Sequence, residues 1–600
     1  MESTQLIDGF TTLAGGMHLA GDNPYVTGAD QAEVLVNATV RHGWAEPRPR
    51  FVLAEILWTH RLAQQSFEHG IIQGSARYES NEGPRLVFAV DGRLISYNPE
   101  TREAVLLTPE DVTRPFLANT PFVHLQQRGK WLVAQDGLNL PVIVEGDSAR
   151  FDRNPFTGIP TGTIMADGWN RLVVVAPDRE RIFLSDHELD PSSTPLSFTD
   201  GAEYYLNARF FKVPRELGKI VSVAFSPSFN IQDDLGPLVV FCERGTRTYS
   251  IQFPRDQWIA RDIASTMLPT IGACAHGAVV SRGNDMIFSD HDGRIQTFRA
   301  ALSRRESARV GHIDQPVHEL YARENAALRR WRKAERFDDR TLTTVWPERV
   351  KRPNGYAVRH RGFVVLEEDF LSERPFVWAG LWTGVHPVTI NVVNRQASPM
   401  ESPEERCFIT SLDDDGVNRL YELDRVSGSD LVPLPRRVPM TVVPRWMDWK
   451  NIFEIKRFQS ACVQFGPIKG RVTLRGQWQI SGQRAQHWFT HEDGGPEGIH
   501  FECPSNRLSK FFAPIRPRLN LPAPPAKDGF FRARPVLRVL GHASIREMAI
   551  RVQVSEASMA NDTLCVPPAE VVTSRDCDPD YWTHEADSPA SLPIRICQPA

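Results

Sequence analysis

The sequence predicts an all-β fold, and three observations carry that prediction. The 600 residues include 45 prolines and 40 glycines, which end regular structure and build turns, beside 32 phenylalanines and 14 tryptophans that suit pleated, half-buried surfaces. Apolar runs that stop at an Asp-Gly or similar turn, and resume as strands of alternating polarity, recur along the chain. Finally, 41% hydrophobic and 24% charged residues are enough for real cores and too ordinary for a disordered chain. At this length the chain holds about three or four compact units, or one repeat array with attachments.

The recurring unit is an apolar run, a turn and a second strand. Leu86–Val90 meets Asp91-Gly92 and then Arg93–Tyr97; Trp131–Ala134 meets Asp136-Gly137 and then Leu140–Val144. Leu172–Ala176 meets Pro177-Asp178 and then Arg181–Ser185; Leu238–Cys242 meets Arg244-Gly245 and then Thr248–Ile251. Met286–Ser289 meets Asp292-Gly293 and then Arg294–Phe298; Cys407–Thr410 meets Asp415-Gly416 and then Arg419–Leu423. Each reads as a β-hairpin, because Asp-Gly supplies the positive φ that a tight hairpin turn requires. Turns recur at intervals of about 40–70 residues over the first five units, the size of a four-stranded blade that must stack on its neighbours to bury both faces. The expected architecture is therefore a β-propeller of about six blades spanning 51–430, with a string of β-sandwiches as the alternative.

Other segments depart from the repeat. Residues 1–50 read as an arm in which Asp30 caps a short helix carrying Val34, Leu35 and Ala38. An insertion at 300–405 contains an expected amphipathic helix, 314–337, capped by Asp314 with Val317, Leu320, Tyr321, Leu328 and Trp331 on one face. Its other face is basic: Arg323, Arg329, Arg330, Arg332, Lys333 and Arg336. Such a face either docks on an acidic surface or a phosphate backbone, or is simply solvated. Residues 431–555 read as a second β unit, a sandwich or small barrel, reached through Pro-rich turns. Residues 556–600 form an acidic tail with 8 Asp/Glu against 2 Arg.

Composition excludes several functions. A formal charge of −4 is no nucleic-acid coat. No run approaches the ~18 apolar residues of a membrane helix, and the first residues show no basic start or apolar core of a secretory signal. The 8 cysteines are scattered without a CxxC pair, which fits reduced thiols; the closeness of Cys565, Cys577 and Cys597 leaves one late disulfide open. No phosphate-binding loop, nucleophile elbow or zinc-protease motif occurs, so neither catalytic residues, metal nor cofactor is expected. Asp413, Asp414 and Asp415 do not have the spacing of a calcium loop and read as a hairpin tip. Asp290, His291 and Asp292 read as a turn, and Cys274 with His276 lacks the second pair that zinc needs. Trp378 with Trp382, and Trp446 with Trp449, are either core residues or platforms for sugars and partners.

The N-terminal fifty residues add a resemblance. They contain Gly15-Gly16-Met17-His18, Asn23-Pro24, the stretch Asp30-Gln31-Ala32-Glu33-Val34-Leu35-Val36-Asn37-Ala38-Thr39-Val40-Arg41, Gly43 and Arg48-Pro49-Arg50-Phe51. This resembles the start of the β-propeller tail nozzle proteins of short-tailed bacteriophages, with His18 where that family often has Asn. The resemblance implies a virion structural protein, not an enzyme: a homohexamer made in the host cytoplasm and located in the virion tail. It would sit under the head-to-tail connector or adaptor, carry tail fibres or a plug, and pass double-stranded DNA at ejection during virus–host entry. A conduit must not hold phosphates, so Asp413, Asp414 and Asp415 become channel-lining candidates. The basic face at Arg323, Arg329, Arg330, Arg332, Lys333 and Arg336, with Trp378 and Trp382, becomes the interface candidate. The alternative is a propeller-based protein that binds or degrades host surface polysaccharide, with Trp378 and Trp382 stacking on sugars or with Asp292 and Asp415 in catalysis.

Overall fold

The computed structural model describes residues 5–19, 27–108, 115–152, 158–186, 198, 210–227, 235–253, 258, 263–282, 285–306, 312–368, 376–395, 404–424, 438–449, 454–466, 469–480, 487–489, 499–502, 518–521, 523–524 and 529–554. The acidic tail, the late cysteines and most of the 514–525 connector lie outside them. The described chain is all-β, with strands sorted into eight separate sheets. Each of the six hairpins forms as an antiparallel pair. In the first, Asp91 (φ 45°) and Gly92 (φ 77°) both take the left-handed conformation that a two-residue hairpin turn needs.

Six sheets of three to five strands follow from these hairpins. Their central strands are unbroken apolar runs because neighbouring sheets cover both faces. Leu86, Phe88 and Val90 point one way, into a core shared with Phe408 and Leu420, whereas Val87 and Ala89 point the other way, against Leu132 and Ala134. The first strands of successive sheets lie side by side, Ile72–Ser80 against His124–Arg128, then Ile164–Gly168, Ile220–Pro227, Val279–Arg282, Ala334–Phe337 and Pro387–Arg395, which packs against Ile72–Ser80.

The expected β-propeller of about six blades, with a helical insertion and a separate late unit, is not what forms. Among the described residues no sheet closes or curls on itself, and the two largest sheets cut across the expected layout. An eleven-stranded sheet joins Gln31–Val36 of the arm to Ala334–Phe337, Arg340–Arg352, Gly355–Glu368 and Phe376–Trp382 of the insertion, and to Pro439–Pro444, Lys469–Ile480 and Ala533–His542. A six-stranded sheet likewise pairs Gln5–Phe10 with the late strand Ile545–Val554. The late strands therefore complete sheets begun elsewhere, and do not form a sandwich or barrel of their own.

Both expected helices are replaced, each for a physical reason. The stretch at 30–40 becomes strands Gln31–Val36 and Ala38–Arg41, broken at Asn37 (φ 53°). Its Val34, Val36, Thr39 and Val40 favour the pleated conformation, and pairing to Phe376–Trp382 on one side and Pro439–Pro444 on the other fixes it. The 314–337 stretch becomes two 3-10 turns, Gln315–Leu320 and Ala326–Trp331, then strand Ala334–Phe337. Asp314 does not cap; its carboxylate accepts from the Tyr321 hydroxyl at 2.5 Å and the Ile295 amide at 3.1 Å. Asn325 starts a new turn by accepting from the Ala327 amide at 3.0 Å.

Candidate functional site

The residues singled out by the resemblance form a dry structural seam. Asn37 Oδ1 accepts from Arg48 Nε at 2.9 Å and from the Thr383 amide at 2.8 Å. Arg48 also donates to the carbonyls of Pro49 at 2.7 Å and Thr383 at 2.6 Å, and its guanidinium lies 4.0 Å from the Phe51 ring centroid. Gly16 (φ 67°) lets the chain pass where a Cβ would stand 2.4 Å from Val377 Cγ1. The seam locks the arm to strand Phe376–Trp382, and its polar atoms are spent on doing so.

The tryptophans belong to the same interior. Trp378 donates to the Ile313 carbonyl at 2.8 Å and Trp382 to the Ala38 carbonyl at 2.7 Å, and both side chains are buried. Buried in this chain's own core, they offer no platform to a sugar or a partner. Trp449 is buried too, donating to the Ile550 carbonyl, while Trp446 lies under Arg534 at 4.4 Å.

The acidic candidates sit at the tip between strands Glu404–Leu412 and Asn418–Asp424. Asp413 accepts from Ser411 Oγ at 2.6 Å and from the Tyr421 hydroxyl at 2.8 Å; Asp414 meets Arg359 at 2.8 Å; Asp415 pairs with Arg419. Arginines thus offset much of the acidic field there. Asp290 is buried and accepts from the amides of Asp292 at 3.0 Å and Arg294 at 2.9 Å, as a turn residue does. Cys274 is inert, its thiol pushed up to about 11 by burial. Among the described residues, no group of three or more His, Cys, Asp or Glu is placed to hold a metal.

The basic run does not share one face. Arg332 turns inward, 1% exposed, to donate to Gly293 O at 2.6 Å, Ser289 Oγ at 3.2 Å and the equally buried Glu324. Arg329 lies against Gly293, while Arg323 and Arg336 are exposed. Arg330 and Lys333 line a cavity of about 340 Å³, a size at the small end of ligand pockets.

Five separated segments build this cavity. Ile71–Gln73 begins the strand Ile72–Ser80, Asn119–Phe122 leads into His124–Arg128, Arg330–Lys333 precedes Ala334–Phe337, Val388–Thr389 lies in Pro387–Arg395, and the hairpin bearing Arg349 and Asn354–Val358 supplies the fifth. Gln73 holds the second segment by donating to the carbonyls of Ala118 at 2.8 Å and Thr120 at 2.7 Å. Phe122 and Trp331 meet at 5.2 Å between centroids, Arg330 stacks at 3.9 Å from the Trp331 centroid, and Tyr356 stands 65% exposed. Burial, followed by the charges of Arg349 and Arg179, holds Arg330 below its usual pKa, and burial pulls Lys333 down to about 8. Among the described residues the lining contains no Asp or Glu. Sequence reasoning found Arg330 and Lys333 but missed Phe122 and Tyr356, whose only local signal was an aromatic beside a Pro or Gly, and Arg349, which lies between Glu348 and Val350 with no local signal.

Beyond Lys333 lies an imidazole pair. His124 Nδ1 accepts from the Met165 amide at 3.1 Å, so its Nε2 carries the proton and donates to His276 Nε2. His276 Nδ1–H then donates to Ser222 Oγ at 3.1 Å. Burial and the Lys333 charge keep His276 uncharged, its pKa lowered to about 3, and His124 is lowered by burial, His276 and Lys333 together.

No family model matches the chain, and no curated protein matches it. Among solved structures, it is similar to the extracellular domain of a hybrid two-component system from B. thetaiotaomicron, at 10% identity over 62% of this chain and 39% of that one, with a TM-score of 0.32. The extracellular domain of a one-component system from B. thetaiotaomicron matches at 11% identity over 75% of this chain and 48% of that one, so this chain spans less than half the length of either. BamB from Moraxella catarrhalis matches at 11% identity over 64% of this chain and 93% of that one, again with a TM-score of 0.32. Similarity this low carries neither fold nor function across. Among the described residues no sheet closes on itself, so the β-propeller is not what forms, and the descriptors that the resemblance attached to it (virion, bacteriophage tail, tail nozzle, DNA ejection, homohexamer) are not supported by the chain as found.

Proposed function

We propose that the chain is a binding protein for acidic glycans, with the cavity between Phe122, Trp331, Arg349 and Tyr356 as its recognition site. The observation that supports this reading is the lining: Arg330, Lys333 and Arg349 beside three aromatic side chains, with no Asp or Glu among the described lining residues. Exposed guanidinium groups at the mouth of a cavity, with no ion-pair partner among the described residues, favour carboxylate or sulfate groups, which accept two parallel hydrogen bonds from one fork. The aromatic faces suit the apolar faces of sugar rings and Asn119 suits their hydroxyls, while Thr120 already donates to the Phe122 carbonyl at 2.9 Å and Asn354 to Asp91 at 3.1 Å. Hydrolysis of a glycosidic bond ordinarily uses a pair of carboxylates. Their absence from this lining favours binding over cleavage.

The test is calorimetric titration with methyl glucuronide and short uronate oligomers against neutral glucose oligomers of equal length. Binding of the acidic series at least tenfold tighter, weakened by salt and by Arg349→Ala, supports the reading. Equal affinity for both series, or none, refutes it. Closed rings with a duplex-wide lumen in negative stain would instead favour the conduit that the resemblance implies.

A further inference from the structure

Anion binding leaves one lining group unexplained. A cation meant only to hold a carboxylate is best as arginine, whose charge survives burial, yet the cavity also contains a lysine. Among the described residues no carboxylate pairs with the Lys333 amine, and burial pulls its pKa to about 8, so part of it is unprotonated near neutral pH. Its position is built. The stem runs over Gly277, where a Cβ would fall 2.5 Å from Lys333 Cδ, so a larger residue there would displace the amine. The imidazoles next to it are neutral and hydrogen-bonded in sequence to Ser222. Because His124 Nδ1 accepts from an amide, its Nε2 keeps a proton and has no lone pair for a metal, so the pair acts as hydrogen-bonding groups beside the amine.

We propose that Lys333 is a covalent capture site for a carbonyl compound that also carries a carboxylate, such as an oxo acid or the open-chain form of a uronic acid. This rests on the anion-binding reading of the same cavity: Arg330 and Arg349 hold the carboxylate, and the amine faces the carbonyl carbon. The amine lone pair forms the C–N bond while the carbonyl oxygen takes up a proton, giving a carbinolamine. Loss of that hydroxyl as water, with departure of the remaining N–H proton, leaves the imine. The sum is amine plus carbonyl to imine plus water, with no change in oxidation state.

Reductive trapping tests this on the full chain. Glyoxylate with cyanoborohydride, followed by peptide mass spectrometry, is expected to label Lys333 about tenfold faster than the exposed Lys351, with the rate rising from pH 7 to pH 9. Arg349→Ala is expected to slow labelling by glyoxylate, but not by uncharged acetaldehyde. Lys333→Arg keeps a positive charge and is expected to remove the label, with its fold checked by the urea midpoint. Labelling of Lys333 no faster than Lys351, or equally fast with acetaldehyde and glyoxylate, overturns the proposal. Methyl glucuronide has no free carbonyl, so its calorimetric binding reports the anion reading alone: binding without trapping sinks only the covalent step.

Discussion

Arg48 and Arg349 are the same side chain put to opposite uses. Arg48 is enclosed by Asn37, Pro49, Thr383 and Phe51, and each of its three guanidinium nitrogens meets a fixed oxygen within the chain. Arg349 stands at the cavity rim, and its charge is one of the two that hold Arg330 below its usual pKa. The first arrangement spends hydrogen bonds on joining the arm to a strand more than three hundred residues away. The second keeps them unspent, which costs stability locally and leaves affinity for a ligand. The stretch that resembles a family signature is thus the architectural one, and the basic run that could be a solvated face contains the site.

The largest effect should come from breaking the seam. Arg48→Ala leaves Asn37 Oδ1 and the Thr383 carbonyl short of donors in a dry environment, and is expected to cost about 3–5 kcal/mol. Urea denaturation should show the midpoint fall with an unchanged slope. Arg349→Ala should move the same midpoint by less than about 0.5 kcal/mol. If the two variants are equally destabilised, the division between seam and site fails.

Acid should separate the regions next. His276 and His360 are both lowered to about 3 by burial, from an ordinary value of 6.5. The unfolded chain therefore takes up protons first as pH falls, so this part of the stability is complete above about pH 6.5 and is lost progressively down to about pH 3. At pH 4.5 each such histidine should cost about 3 kcal/mol. Asp167, raised to about 6, and Glu335, raised to about 7, have the opposite sign and offset part of the loss between pH 7 and pH 4. Comparing His360→Asn with the parent at pH 7 and pH 4.5 isolates the histidine: the gap between the two proteins should shrink at the lower pH.

How much of this was legible follows from sequence distance. The hairpins were, because an apolar run and an Asp-Gly turn are local signals; Leu86–Val90 and Arg93–Tyr97 pair around Asp91-Gly92 as read. The eleven-stranded sheet was not, since Val36 opposite Leu381 is a pairing no local pattern encodes. The 314–337 stretch misled because its apolar residues do recur at helical spacing. The interaction that breaks it, buried Arg332 on Glu324, Ser289 and Gly293, depends on a strand over thirty residues earlier. The cavity was half legible for the same reason: Arg330 and Lys333 stood out as a charge run, but Phe122 and Arg349 reach it from separate segments.

A smaller effect is expected on affinity alone. A charge-assisted hydrogen bond from Arg349 to a carboxylate is worth about 1.5–3 kcal/mol, so Arg349→Ala should weaken an acidic saccharide by about tenfold or more. Arg48→Lys, if it folds at all, should leave affinity per folded molecule unchanged. Loss of affinity in both would mean that the seam shapes the cavity.

The smallest effects belong to the acidic tip, and they should be graded by what each carboxylate touches. Asp414 is 72% exposed and shares Arg359 with the better-placed Glu348, so Asp414→Asn should change stability by less than about 0.5 kcal/mol. Asp415 pairs with Arg419 at the surface and should behave alike. Asp413 differs, because it accepts from Ser411 and from Tyr421 across the hairpin, and Asp413→Ala leaves two hydroxyls without that acceptor. Its loss should cost about 1–2 kcal/mol. A denaturation series of the three variants with equal shifts would show that the tip acts through net charge, whereas the expected order, Asp413 well above the other two, shows that hydrogen bonding holds it.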